Sequence, residues 1–163
     1  MDRLLGQLIG RSLIYRCCIL LALSIVCLGG LGMPSPAFAA SSGGVRGLIA
    51  LKQMAKDATP YSVALANEHP TLIEFYADWC TTCQSMAPTI QTLHKEYGQT
   101  VNFVMIDIDD PQWAGPVEQF SVQGVPQLTL LSGGQEPVET LVGKVPKTIL
   151  SQVLEQVLEP ARA

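Results

Sequence analysis

The sequence predicts an α/β domain, a central mixed sheet flanked by helices, preceded by an N-terminal apolar segment. Three observations predict it. Short apolar runs at 71–77, 101–108 and 127–131 alternate with stretches whose apolar residues recur at helical spacing. Near the C-terminus, Ser132-Gly133-Gly134-Gln135 separates two strand-like runs, which signals a hairpin. An uncharged apolar stretch at 17–33 follows Arg3, Arg11 and Arg16 and stands apart from the rest of the chain.

The elements follow in order. Residues 1–39 read as a basic leader, and two readings of it stand open. It is a single transmembrane anchor, or it is a secretory signal peptide cleaved after Ala39, where Ala37-Phe38-Ala39 has the small–x–small pattern. The apolar run is long for a signal core of about 7–15 residues and short of the roughly 20 that cross a bilayer, although Leu13 and Ile14 extend it with Arg16 snorkelling. Both readings leave the arginines in the cytoplasm and export the domain. Residues 40–47, rich in Ser and Gly, read as a flexible linker, and 48–163 as the folded domain.

Within that domain, apolar residues at 48, 49, 51 and 54 predict a helix from Gly47 to about Lys56. Tyr61 to Asn67 reads as a second short helix, stopped by Pro70. Thr71 to Ala77 is a buried strand. Thr81 to Tyr97 is helical, with Met86, Ile90, Leu93 and Tyr97 on one side and Pro88 inside as a source of a kink. Val101 to Ile108 is the next strand, and Trp113 to Phe120 a short helix. Gln127–Leu131 and Pro137–Val142 form the hairpin, and Val145 to Leu158 a closing amphipathic helix.

Charge and cysteine usage narrow the function. The net charge is −4, and three of the ten Lys/Arg but one of the fourteen Asp/Glu lie in the first 40 residues, so the domain is acidic. No basic stripe supports a nucleic-acid partner. Cys17, Cys18 and Cys27 sit in the leader as small apolar residues, which leaves Cys80 and Cys83 without a structural disulfide framework around them. His69 and His94 have no metal-ligand spacing to this pair, and no Cys-x-x-Cys-His occurs, so neither a metal nor another cofactor is expected. Asp107, Asp109 and Asp110 read as a solvated turn, and Trp113 as a packing residue.

The chemistry points to Cys80-Thr81-Thr82-Cys83, at the junction of a strand and a helix. A helix N-terminus favours a thiolate through its free N–H groups and the positive end of its dipole. Cys80 stands at that start and is the candidate attacking thiol; Cys83, one turn in, is the resolving thiol. Trp79 offers apolar surface to a partner. Glu74 is the single carboxylate of an apolar strand. Burial there raises its pKa, so it is a candidate proton acceptor for Cys83. Val125-Pro126 enters a strand and is a candidate cis bond, which would put the Val125 backbone beside the Cys pair for strand-like pairing with a peptide.

Together these residues resemble the thioredoxin family: Phe75-x-Ala77-x-Trp79-Cys80-x-x-Cys83, Pro88 five residues beyond the second Cys, Gly124-Val125-Pro126 and the late Gly143. The resemblance covers about residues 60–159. It implies the thioredoxin fold, Cys80 as nucleophile, Cys83 as resolving thiol, Glu74 as buried acid and Pro126 as cis-proline. Within the family the chain is most similar to the membrane-anchored thylakoid thiol:disulfide interchange proteins of the TxlA type, through Glu74–Cys80, Val101–Met105 and Trp113. That likeness favours the anchor. Two departures stand out. Thr81-Thr82 replaces the Gly-Pro of general thioredoxins, and Met105 stands where cytosolic members carry a lysine near the buried acid.

The expectation is therefore a thiol–disulfide oxidoreductase acting on protein cysteines outside the cytoplasm, on the thylakoid-lumen or periplasmic side. As a reductase it would draw electrons from a membrane thiol carrier and keep cysteines such as those of apocytochromes reduced during cytochrome assembly. A disulfide-inserting oxidase or isomerase uses the same residues at a different potential. A non-catalytic chaperone using the peptide groove is the alternative of another class.

Overall fold

The computed structural model describes residues 41–133 and 135–159. The expectations for the leader, its cleavage after Ala39 and Cys17, Cys18 and Cys27 fall outside these residues.

The first element, α1, spans Ser41–Asp57. The linker expected at 40–47 is thus corrected from Ser41 onward, where the chain is helical. Gly43, Gly44 and Gly47 are poor helix formers, but packing overrides propensity. Leu51 and Met54 of α1 are buried in the core. A Cβ at Gly47 would stand 2.7 Å from the carbonyl oxygen of Gln84, so only glycine permits this close approach.

A short α2, Tyr61–Ala64, leads to β1, Thr71–Tyr76. The long helix α3, Thr81–Tyr97, continues through Pro88. Proline lacks an N–H, so the Gln84 carbonyl loses its helical partner. That same carbonyl faces Gly47 of α1. β2, Asn102–Asp107, is followed by a 3-10 turn, Pro111–Trp113, and α4, Ala114–Gln119. The hairpin strands are β3, Gln127–Leu131, and β4, Pro137–Val142, and α5, Lys147–Leu158, closes the chain.

The sheet order is β2-β1-β3-β4. β1 pairs parallel with β2 and antiparallel with β3, and β3 pairs antiparallel with β4. This is the mixed sheet that the alternation predicts. All residues of β1 and β3 are buried, while β4 is an exposed edge that begins at Pro137.

Side chains alternate along β1. Leu72 and Tyr76 join a core cluster with Cys80, Cys83, Met86, Ile90 and Leu93 of the α3 side, Leu51 and Met54 of α1, and Leu150, Leu154 and Leu158 of α5. Ile73 and Phe75 point the other way, into a cluster with Ala64, Val104, Ile106 and Leu131, flanked by Trp113 and Phe120. Glu74 is in phase with Leu72 and Tyr76, so it lies on the face that α3 covers.

Candidate active site

β1 ends at Tyr76, and the chain turns at once into α3. The Cys80 N–H donates to the Ala77 carbonyl at 3.1 Å, which closes the turn. Cys80 is the N-cap of α3, with its Sγ accepting from the Cys83 N–H at 3.0 Å. The two sulfurs are bonded, with S–S 2.08 Å and Cα–Cα 5.3 Å. After reduction the same amide stands ready to stabilise a thiolate on Cys80, as helix N-termini do. Cys80 retains 5% exposure and Cys83 none. A partner therefore meets Cys80 first.

Glu74 is fully enclosed, and neither carboxylate oxygen has a hydrogen-bond partner. Its direct neighbours across the sheet are Met105 on β2 and Leu128 on β3, both apolar. Burial pushes its carboxyl up to about 8. With no cation opposite, nothing offsets the desolvation of its charge. The carboxyl is thus protonated near neutrality and sits close to the pH at which a proton acceptor works well. The side-chain phase turns Glu74 toward the sheet face that α3 covers, the face on which Cys80 and Cys83 are packed.

The Val125-Pro126 bond is cis. Val125 is half-buried and packs against both core clusters, including the one that holds Cys80 and Cys83. Pro126 is buried, and its carbonyl accepts from the Gly143 N–H at 2.8 Å. Gly143 has φ +84°, a conformation suited to glycine. Among the described residues, neither the N–H nor the C=O of Val125 has a hydrogen-bond partner, which leaves both for an extended peptide.

Trp79 is 64% exposed. Its indole N–H donates to Asp109 Oδ2 at 2.7 Å, which fixes the orientation of the exposed ring next to Cys80 in the chain. The acidic turn lies in contact with solvent, as read, and its carboxylates also make local hydrogen bonds. Asp109 orients Trp79, Asp107 accepts from the Asp109 N–H, and Asp110 caps the 3-10 turn through the Gln112 N–H. Trp113 is a packing residue, edge-on to Tyr61 at 5.9 Å.

Sequence reasoning missed three residues at the site. Asp78 pairs with Lys52 at 2.5 Å. Gln84 Nε2 donates to the Asp78 carbonyl at 2.7 Å. Lys52 comes from α1, 26 positions before Asp78 in the chain, and no local pattern reports such a contact. Among the described residues no three His, Cys, Asp or Glu side chains converge as a metal site.

Comparison with known proteins agrees with this geometry. The thioredoxin family model matches residues 52–156. The chain is 40% identical over 138 residues to the thiol:disulfide interchange protein TxlA of Synechococcus elongatus, covering 85% of this chain and 68% of that one. It is 40% identical over 101 residues to the thioredoxin-like protein HCF164, chloroplastic, of Oryza sativa, covering 62% of this chain and 38% of that one. A TxlA homologue of Synechocystis is 41% identical, with 58% of its length covered. The chain thus spans between about two-fifths and two-thirds of these relatives. A mutant thioredoxin from Halobacterium salinarum superposes with TM-score 0.52 at 29% identity, covering 61% of this chain and 87% of that structure. The chain belongs to the thioredoxin family and is a thiol–disulfide oxidoreductase of that family.

Proposed function

We propose that the protein reduces disulfides of exported proteins, with Cys80 as nucleophile, Cys83 as resolving thiol and Glu74 as the proton acceptor. One observation carries this reading: Cys80 caps the N-terminus of α3, bonded to Cys83, on the face beneath which the unpartnered Glu74 is buried. In the reduced state the Cys80 thiolate attacks one sulfur of a target disulfide. A mixed disulfide forms, and the displaced target thiolate takes a proton from water. In the molecules whose Glu74 is ionised, Cys83 then loses its proton to that carboxylate and attacks Cys80 Sγ, which forms the intramolecular disulfide and releases the second target thiolate, and the proton taken up by Glu74 passes to it. Two electrons and two protons pass to the target.

Trp79 and the open backbone of Val125, next to Pro126, supply the surface on which an extended target segment lies. The protein is restored by a dithiol donor, which becomes a disulfide. The leader's arginines before an apolar run support an exported domain, tethered on the thylakoid-lumen or periplasmic side, with release after Ala39 as the alternative. Among the described residues no helix is long and apolar enough to cross a membrane; the leader lies outside them. In that setting the donor is a membrane thiol carrier, and the targets are protein cysteines such as those of apocytochromes awaiting haem. Residues 1–39 then form the leader and 48–163 the catalytic domain, with the first turns of α1 between them in the chain.

Two experiments test this. The Cys83→Ser variant should accumulate mixed disulfides at Cys80, and equal trapping by Cys80→Ser would reverse the assignment. Equilibration with glutathione should give a potential below that of the buffer. A potential well above it turns the direction round, to disulfide insertion.

A further inference from the structure

α1 reaches the turn that carries Cys80. Lys52 Nζ lies 2.5 Å from Asp78 Oδ2. Gln84 holds the backbone of the same residue through its carbonyl. Gly47 sets α1 against the Gln84 carbonyl, which fixes the helix that presents Lys52. The other Asp78 oxygen, Oδ1, is closed off from solvent and has no hydrogen-bond partner. Its charge therefore leans on Lys52.

The remaining titratable and charged groups around this turn come from every neighbouring element. β1 supplies Glu74 and Tyr76, the end of β2 supplies Asp107, the loop after it supplies Asp109 and Asp110, and α3 supplies Cys83. None of them is a cation. The Tyr76 hydroxyl reports their field, being pushed up to about 12 by burial first and then by Asp107, Asp78, Glu74 and Asp110. A negative field of this kind opposes a thiolate.

We propose that Lys52 is a positioning residue for the attacking thiol: through Asp78 it holds the Ala77–Cys80 turn and offsets a carboxylate two residues from Cys80 whose charge opposes the thiolate. This rests on the reading that Cys80 is the nucleophile. The structure thereby gives α1 a part in the chemistry, although no residue of α1 belongs to the Cys-x-x-Cys turn.

The test follows the alkylation rate of the reduced full chain by iodoacetamide across pH, with the modified cysteine identified by mass spectrometry. Lys52→Gln should move the Cys80 midpoint upward by about half a pH unit and slow alkylation below the midpoint by about threefold, a modest shift because the pair is part-exposed. Lys52→Arg should keep the wild-type profile. Adding Asp78→Asn to Lys52→Gln should bring the midpoint back. An unmoved Lys52→Gln profile overturns the proposal, and so does a double variant as displaced as the single one, since either result leaves Lys52 with helix docking alone. Failure of the underlying reading looks different: the wild-type protein itself would then be alkylated first at Cys83, or at neither thiol below the ordinary cysteine value of about 8.5.

Discussion

Two ends of the same strands treat buried polar groups in opposite ways. At the start of β1 and β2, Asn102 is buried, and its amide bonds Asn67 at 2.8 Å and Thr71 at 3.1 Å, while Asn67 donates back at 2.9 Å. Toward the other end, both oxygens of Glu74 and Oδ1 of Asp78 have no partner at all. Among the described residues these three are the buried side-chain atoms left unsatisfied. Unsatisfied buried groups cost stability, so a fold keeps them where something else depends on them. The far end satisfies its buried polar groups, and the end that carries the Cys80–Cys83 pair leaves them open.

The contrast can be broken or sharpened by experiment. Cys80→Ser should have the largest effect: disulfide exchange should be lost entirely in an insulin or synthetic-disulfide assay, with the fold retained.

Next in size is the pH dependence of stability due to Glu74. Its folded carboxyl titrates at about 8, against 4.5 for an ordinary glutamate. The native state therefore holds a proton that the unfolded chain has released between those values. The contribution is fully present below the unfolded value and is lost as pH rises to about 8, at a slope of about 1.4 kcal/mol per pH unit. Denaturant titrations from pH 5 to 8 should show that slope, and Glu74→Gln should flatten it. The same variant should slow release of a preformed mixed disulfide. A Glu74→Gln protein with the wild-type slope would remove Glu74 from the comparison.

At the opposite end, Asn102→Ala should cost about 1–3 kcal/mol, because it removes the buried amide's bonds to Asn67 and Thr71, while exchange activity per folded molecule stays unchanged. A loss of activity there would show that the two ends are coupled. Smallest is Trp79→Ala, which should raise KM for a protein disulfide a few-fold and leave kcat near its original value, since the exposed ring meets partner surface rather than the sulfurs.

Most of the fold was legible because its signals are local. Strand runs, the Cys-x-x-Cys junction and the turn residues before β4 each report on their own few residues, and the boundaries of β3 and β4 agree with the expectation. Glu74 was legible for the same reason, as one carboxylate in an apolar run. The first turns of α1 were not. Gly43, Gly44 and Gly47 read as a linker because propensity sees only missing side chains. In the folded molecule the absent Cβ of Gly47 is what admits α1 to α3. Nor could the sequence show that Asp109 would hold Trp79, since that bond spans 30 positions. What escaped were the contacts made by residues outside any motif, Lys52 on Asp78 and Asp109 on Trp79.

The route of α1 has a mechanical meaning as well. Gly44, only three residues from the start of the helix, already lies against the side chain of Gln84, and Gln84 grips the turn before Cys80. The first turns of α1 thus lie on the flank of the turn that carries Cys80. A load on the first turn of α1 would reach that turn before the rest of the core. α1 therefore works as a strut: a shift along its axis would be felt at Asp78, which it reaches through one ion pair from Lys52 and one hydrogen bond by way of Gln84.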